Sequence, residues 1–219
     1  TSTPACSAGS WECDSTSPDF GSETLTFECD GLDNDCDGAV DEDCVPTDGH
    51  VDSIQKVSTS EGDFKGILSQ NAVFGLSLAT LGDLDGSGKT WVGVGSDVGV
   101  WLIRLKADGT VDTSKELATD NLTNIADAQG FGRSIARIGD LDGDGVTDIA
   151  VGADTTPSPI DGATNTGAVY IIFLNANGTV KSDALIDKGS LGGIADDSRF
   201  GKSVAGLGDL DGDGVPDLA

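Results

Sequence analysis

The sequence predicts an all-β protein built from four-stranded antiparallel sheets, each with an acidic loop between its first two strands. Three segments share a Phe-Gly pair followed by a Gly-Asp-Leu-Asp-Gly loop, and they begin at Phe74, Phe131 and Phe200. Repetition at a spacing of tens of residues indicates an array of similar structural units. Short apolar runs that favour β-strands flank the loops, and these flanks lack helical periodicity.

The second loop has the complete pattern of oxygen-bearing residues at alternate positions. Carboxylates occupy positions one, three, five and nine, and a backbone carbonyl serves position seven, in the order Asp140, Asp142, Asp144, Asp148 and, for the carbonyl, Val146. Gly145 at position six permits a sharp turn. This order matches the first nine positions of an EF-hand loop, which holds calcium through about six to eight oxygens. Position 12 lacks Glu and strands flank the loop, so we predict a calcium loop between two strands.

Two more loops repeat this pattern in full. The residues in the third repeat are Asp209, Asp211, Asp213, Val215 and Asp217, and those near the N-terminus are Asp33, Asp35, Asp37, Ala39 and Asp41. A single Asp-Gly pair would be explained as a solvated turn, because both residue types favour turns. Four copies of one nine-residue pattern, with the incomplete copy in the first repeat included, instead indicate metal binding. Clustered carboxylates repel one another unless a cation lies among them.

The first repeat departs from the pattern. Asp83 and Asp85 are retained, but position five is Ser87 and position nine is Trp91. Lys89 at position seven would act through its backbone carbonyl, so its side chain matters little. We therefore predict three to four calcium ions for the chain, with the weakest binding at the Asp83 loop.

Each unit also contains a predicted outer hairpin. Residues 100–105 and 169–174 are apolar β runs, and Asp108-Gly109 and Asn177-Gly178 follow them. These dipeptides favour two-residue hairpin turns, which need positive φ. Four antiparallel strands per unit are what a β-propeller blade requires, and propellers close with about four to eight blades. Because Ala219 aligns with Ala150, inside the second strand of a unit, we expect a partial ring here, completed by a longer polypeptide or, as the alternative, by neighbouring subunits.

The composition is strongly acidic, with 38 Asp and Glu residues against 12 Lys and Arg and a net charge of −26. Such a surface is repelled by phosphate backbones and anionic lipids, which argues against nucleic acid and the membrane surface as partners. No apolar run approaches the ~20 residues that span a bilayer, so membrane insertion is not expected. The sequence begins at Thr1 and contains no Met, which favours a processed, secreted chain.

Residues 1–46 form a separate acidic module in this prediction, and residues 47–219 form the repeat region. All five cysteines lie in that module, at Cys6, Cys13, Cys29, Cys36 and Cys44. Their confinement to a segment poor in apolar residues favours disulfides formed in an oxidising compartment, with calcium as a second stabilising factor. Zinc is the alternative, although the spacing has no Cys-x-x-Cys pair and His50 is the single histidine. The connectivity and the partner of the odd cysteine stay open.

The repeated Phe-Gly-x-Ser and Gly-Asp-Leu-Asp-Gly-Asp-Gly elements resemble the FG-GAP repeat of integrin α-subunit β-propellers and related bacterial surface proteins, over about residues 48–219. The resemblance implies one four-stranded blade per repeat, with calcium in the loop between the first two strands. Separately, the acidic segment from Cys29 to Glu42 resembles a MopE-type cysteine-flanked metal-binding motif of bacterial extracellular proteins. That family's label mentions copper, but hard carboxylates suit calcium better than copper(I).

The expected function is that of a non-enzymatic, calcium-binding protein of the cell exterior that serves adhesion or scaffolding. Its expected partners are an extracellular protein or glycan, or copies of itself. One alternative is a subunit of an extracellular filament or surface polymer, and another is a polysaccharide-processing enzyme built on a propeller. We predict no catalytic residue, because the chain has one histidine, no nucleophile elbow, and carboxylates committed to metal.

Overall fold

The structure is a computed structural model that describes residues 54–68, 73–96, 99–117, 122 and 130–219, together with two short strands, β1 (Cys6–Ser7) and β2 (Ser10–Trp11). Strands β1 and β2 pair antiparallel. The chain divides into two compact units, Thr1–Ile54 and Gln55–Ala219. Most of the predicted cysteine module lies outside the described residues, so its boundary at residue 46 and its disulfides stay predictions.

The first complete sheet contains four antiparallel strands that follow one another along the chain. They are β3 (Ser77–Gly82), β4 (Trp91–Gly95), β5 (Val100–Leu105) and β6 (Val111–Leu117), and each pairs with the next. The connections are too short for a crossover, which requires a dozen residues or more, so neighbouring strands run antiparallel. The acidic loop joins β3 to β4, as the sequence predicts.

The second complete sheet repeats this order. Its strands are β7 (Phe131–Gly139), β8 (Asp148–Ala153), β9 (Ala168–Leu174) and β10 (Val180–Ile186). Every residue of β8 is buried, as are all but one of those in β9. Strands with such continuous burial are covered on both faces, which places them in the interior of the repeat unit. The prediction of four-stranded antiparallel sheets is confirmed for the first and second repeats.

The third repeat contains a two-stranded sheet. Strand β11 (Gly206–Gly208) pairs antiparallel with β12 (Asp217–Leu218), and the third acidic loop connects them. A four-residue helix, α1 (Lys188–Leu191), precedes them. Its first turn is capped by Asp187, whose carboxylate accepts the backbone N–H of Ser190 at 2.9 Å.

The outer hairpins turn where the sequence predicts. Gly109 and Gly178 have φ values of 77° and 76°, which lie in the left-handed region that glycine enters without a Cβ clash. In the first turn the backbone N–H of Lys106 donates to the carbonyl of Thr110 at 2.9 Å. The turn residues therefore set the pairing of β5 with β6 and of β9 with β10.

The largest apolar cluster spans the two complete sheets. It combines Trp91 and Leu102 of the first sheet with Phe131, Tyr170 and Ile172 of the second, all of them buried. The rings of Phe131 and Tyr170 meet edge to face with centroids 5.3 Å apart. Burial of large aromatic rings contributes both apolar area and directional ring contacts, so this cluster holds the two sheets together.

Candidate metal centres

The second acidic loop is folded around the side chain of its first aspartate. The carboxylate of Asp140 accepts backbone N–H groups from Gly143 at 2.8 Å, Asp144 at 3.0 Å and Gly145 at 2.8 Å. Gly143 and Gly145 have φ values of 77° and 88°, so the chain turns back over the carboxylate at positions that glycine tolerates. The loop between β7 and β8 is consequently preorganised by its own backbone.

Three carboxylates of this loop converge. Asp140, Asp142 and Asp148 each offer an oxygen within 4.8 Å of the others. Asp148 is fully buried and accepts the backbone N–H groups of Leu141 at 2.9 Å and Leu174 at 3.0 Å. Burial raises the pKa of Asp148 above its ordinary value, because desolvation disfavours the charged form more than these two hydrogen bonds favour it.

The aspartates at position five have a different orientation. Asp144 and Asp213 accept the backbone N–H groups of Val146 and Val215, each at 2.8 Å. Neither belongs to the set of convergent oxygens in its loop. The aspartates predicted as ligands at position five therefore close the turn, and the carboxylates that converge are those at positions one, three and nine.

A lysine also approaches the second loop. Lys181 on β10 places Nζ 2.7 Å from an oxygen of Asp142 and 2.6 Å from one of Asp144. These contacts raise the pKa of Lys181 and, mainly through the Lys181 hydrogen bond, lower the pKa of Asp144. The loop thus attracts positive charge from the outer strand of the same sheet, and sequence reasoning did not identify this lysine.

The third loop has the same arrangement. Asp209 accepts the backbone N–H groups of Gly212 and Gly214 at 2.8 and 3.0 Å. Oxygens of Asp209, Asp211 and Asp217 lie within 4.8 Å of one another. The pattern shared by the second and third loops therefore produces one geometry at two places in the chain.

The first loop has the same backbone turn but fewer acidic groups. Asp83 accepts the backbone N–H groups of Ser87 at 3.0 Å and Gly88 at 2.7 Å. The backbone nitrogen of Lys89 lies 3.4 Å from Ser87 Oγ. The side-chain Nζ of Lys89 lies 2.9 Å from an oxygen of Asp112. Only Asp83 and Asp85 supply carboxylates within this loop, so no third carboxylate joins them from the ninth position.

A cationic side chain contacts this loop from the neighbouring strand. Arg104 on β5 forms ion pairs with Asp85 and with Asp112, the latter at 2.8 Å, and its guanidinium lies 5.6 Å from the ring centroid of Trp91. The pKa of Asp85 falls to about 2, through hydrogen bonding by the Ser87 side chain above all and through Arg104 in addition. An arginine inside an otherwise apolar strand was the sequence signal for this contact.

The loop near the N-terminus lies outside the described residues. Its predicted ligands, Asp33, Asp35, Asp37, Asp41 and the carbonyl of Ala39, therefore stay predictions. The donor set of the second and third loops fits calcium, because it consists of hard carboxylate oxygens without sulfur or imidazole. The buried carboxylate of Asp148 adds a group whose ionised form a cation would stabilise.

Comparison with known proteins identifies a repeat family. Residues 131–172, which contain β7, the second loop, β8 and most of β9, match the FG-GAP repeat. The chain is 41% identical to integrin alpha-5 of Xenopus laevis over 97 residues, which are 44% of this chain and 9% of that protein. It is 31% identical to integrin alpha-PS2 of Drosophila melanogaster over 173 residues, 75% of this chain and 11% of that protein. Identity to integrin alpha-V of Gallus gallus is 34% over 158 residues, 67% and 14% of the two chains.

These similarities support the predicted resemblance to FG-GAP and integrin α proteins. The chain spans about a tenth of the length of the curated relatives it matches. The MopE-type resemblance of the cysteine-flanked segment has no counterpart among these findings and stays a prediction. Among the described residues, no helix has the length and apolar character needed to cross a membrane.

Proposed function

Starting from the FG-GAP repeat in this chain, we propose that the protein is a calcium-binding, non-enzymatic protein of the cell exterior that serves adhesion or scaffolding. The observation that carries the proposal is the recurrence of one carboxylate arrangement at Asp140 and at Asp209, 69 positions apart in the sequence. Similarity to integrin α chains supports an extracellular, adhesion-type role.

The role of calcium in this proposal is structural. Bound calcium would supply positive charge among carboxylates that otherwise repel one another. The ligands would be Asp140, Asp142 and Asp148 in the second loop. Asp148 also accepts the N–H of Leu174 at the end of β9, so the loop is connected through this carboxylate to the third strand of the sheet.

The partner in this proposal is an extracellular protein or glycan, or another copy of the chain. The polymer subunit and the polysaccharide-processing enzyme are the alternative functions. No specific contact in the described part of the chain favours either of them. We propose three to four calcium ions for the chain, including one at the loop outside the described residues.

Calcium binding is tested by isothermal titration of the chain and of a variant that combines Asp140→Asn with Asp142→Asn. We expect the variant to bind one calcium ion fewer, because two of three convergent carboxylates are lost. Asp108→Asn is the control, since this carboxylate lies in the turn after β5 and accepts the Thr110 N–H at 2.9 Å. Equal stoichiometry in all three proteins, or no calcium binding by the parent chain, would contradict the proposal.

Adhesion is tested on an array of extracellular matrix proteins and glycans, in calcium and in a calcium chelator. We expect binding that calcium supports and the chelator abolishes, and that the Asp140→Asn, Asp142→Asn variant weakens. If the chain binds no member of the array, the adhesion role is contradicted. Calcium binding is judged separately, by the titration.

A further inference from the structure

We infer that the first acidic loop is held by the guanidinium of Arg104 in the place of a metal ion, so that the first sheet keeps its loop ordered without calcium. This inference rests on the proposed calcium function of the other loops. It assigns to Arg104 a role that the loop pattern alone does not show, and it disagrees with the calcium ligands that the sequence predicts at Asp83, Asp85, Ser87 and Lys89.

The loop backbone needs no third carboxylate to form. Asp83 accepts the N–H groups of Ser87 and Gly88, just as Asp140 accepts those of Asp144 and Gly145. The turn is therefore the same in the two loops. The two loops differ in the charged side chains that contact them.

At position nine of the first loop, Trp91 stands in place of the aspartate that the second loop has at Asp148. The Trp91 side chain is 1% exposed, and its buried Nε1 has no hydrogen-bond partner. A Cβ on Gly178, in the outer turn of the second sheet, would lie 2.7 Å from the indole ring. The indole thus fills the space between two sheets, and position nine supplies no side-chain oxygen to a metal.

The cation that contacts the acidic loop lies on different strands of the two sheets. Val94 pairs with Trp101 in the first sheet, as Val151 pairs with Tyr170 in the second. This alignment makes Arg104 on β5 the counterpart of Phe173 on β9.

By the corresponding alignment of the outer strands, which begin at Val111 and Val180, Asp112 on β6 is the counterpart of Lys181 on β10. In the first sheet the strand cation that contacts the loop, Arg104, therefore lies on the third strand, directly opposite Trp91 in the ladder. In the second sheet the strand cation that contacts the loop, Lys181, lies on the fourth strand.

The two loops and their ion-pair partners differ in formal charge. The first loop and its partners combine three carboxylates with two cations, a net charge of −1, from Asp83, Asp85, Asp112, Arg104 and Lys89. The second combines four carboxylates with one cation, a net charge of −3, from Asp140, Asp142, Asp144, Asp148 and Lys181. A divalent ion would reduce the charge of the second group from −3 to −1, whereas it would change the first group from −1 to +1 and bring no reduction in the size of its charge.

Arg104 is held in place by its ion pairs and by Trp91. One guanidinium contacts two carboxylates. Its Nη1 contacts Asp85 in the loop, and its Nε and Nη2 lie 2.9 and 2.8 Å from an oxygen of Asp112 on the neighbouring strand. Its planar fork suits such simultaneous contacts, and Trp91 provides an aromatic face beside it. The Arg104 side chain is 23% exposed, less than the 39% of Lys181.

The metal part of the inference is tested with two variants that change the same loop position. Isothermal titration should show that Asp83→Asn binds as many calcium ions as the parent chain, whereas Asp140→Asn binds one fewer or binds it at least tenfold more weakly. Loss of an ion in Asp83→Asn would overturn the inference. An unchanged titration in Asp140→Asn would instead count against the proposed calcium function.

The role of Arg104 is tested separately by amide hydrogen exchange of the full chain. We expect Arg104→Met to accelerate exchange in segment 83–91 at least tenfold, with chelator or without it, and to leave segment 140–148 unchanged. Arg104→Lys, which keeps the charge without the fork, should give an intermediate rate. Lys106→Met is the matched control, because Lys106 pairs with Asp63 away from the loop. Unchanged exchange of segment 83–91 in Arg104→Met would overturn the inference, whatever the titrations show.

Discussion

The hydroxyl of Ser134 donates a 2.8 Å hydrogen bond to the backbone carbonyl of Gly201 and so joins β7 to the Phe-Gly pair of the following unit. Ser77 makes the equivalent bond to Gly132 one unit earlier, also at 2.8 Å. Each serine stands three positions after the phenylalanine of its own Phe-Gly pair. The repeated Phe-Gly-x-Ser element is therefore a connection between successive units, which explains why these residues recur together.

The same interface predicts a strong effect of Gly152→Ala. A Cβ at this position would lie 1.8 Å from the carbonyl oxygen of Gly201 and 2.3 Å from Ser134 Oγ, so backbone must move to admit it. We expect the free energy of unfolding, measured by chemical denaturation, to fall by about 3 kcal/mol. Gly99→Ala is the control, because its Cβ would meet nothing within 4 Å. A similar loss in both variants would contradict the steric explanation.

The hydroxyl bond itself predicts a smaller effect of Ser134→Ala. Ser134 is buried, so its removal leaves the Gly201 carbonyl without this donor and should cost about 1 kcal/mol of unfolding free energy. Ser182→Ala, at an exposed position on β10, should change it by less than about 0.5 kcal/mol. Equal denaturation midpoints for the parent and Ser134→Ala would show that the bond contributes nothing.

Removal of calcium should destabilise the repeat units. Two like charges 4 Å apart cost about 4 kcal/mol at an effective dielectric constant of 20, and each complete loop contains several such pairs. We expect the melting temperature to fall by many degrees in chelator and to recover when calcium is restored. Superimposable melting curves in the two conditions would refute the structural role of calcium.

An ion pair that involves the long connection between β8 and β9 is expected to lower the pKa of Asp161 without any contribution from a metal ion. Lys188 Nζ lies 2.8 Å from Asp161 and, as the largest cause, lowers the pKa of that carboxyl, with hydrogen bonds from Ser158 and Ala163 adding to it. Because the folded pKa is depressed, the stabilisation by Asp161 is present above its unfolded pKa of about 3.9 and is lost as pH falls through the folded pKa.

Lys188→Met should therefore raise the pKa of Asp161 toward its unfolded value. The measurement is an NMR titration of the Asp161 carboxyl carbon, with Lys202→Met in the third repeat as the control. An unchanged titration midpoint in Lys188→Met would mean that the ion pair does not form in solution.

The cysteine module predicts that disulfides and calcium act together. Residues 1–46 have too little apolar surface to offset chain entropy of about 1–2 kcal/mol per residue, and a disulfide contributes only about 2–4 kcal/mol. We expect reduction to weaken calcium binding at the Asp33 loop and to leave the cysteine-free loops at Asp140 and Asp209 unchanged. Titrations with and without reductant measure this, and equal affinity at every site would exclude the coupling.

Much of each unit could be predicted from sequence because its determinants are local. The glycines of the outer turns, such as Gly109 and Gly178, adopt the positive φ that hairpins need. Asp140 organises its loop through N–H groups three to five positions away. Interactions of such short range are visible as spacing, so the strand order and the loops followed directly from the pattern.

Residue identity alone did not reveal which aspartates of a loop converge. Asp142 and Asp144 occupy equivalent alternate positions in the sequence, yet only the Asp142 carboxylate converges with those of Asp140 and Asp148. The Asp144 carboxylate accepts the backbone N–H of Val146 at 2.8 Å and so closes the turn. Lys181 contacts Asp142 and Asp144 alike, so the lysine does not distinguish the two carboxylates. Its approach from a strand 37 residues beyond Asp144 depends on the paired sheet.

The sequence by itself determined the repeats, the four-stranded units and the positions of the acidic loops, since turns and alternating carboxylates act over a few residues. Only the tertiary structure decided that Arg104 lies against Asp85 and that Ser134 reaches Gly201, 67 residues away. Both contacts require strands already paired in register and sheets already packed together. Register and packing are collective results of the buried core, and no local spacing encodes which side chains they bring into contact.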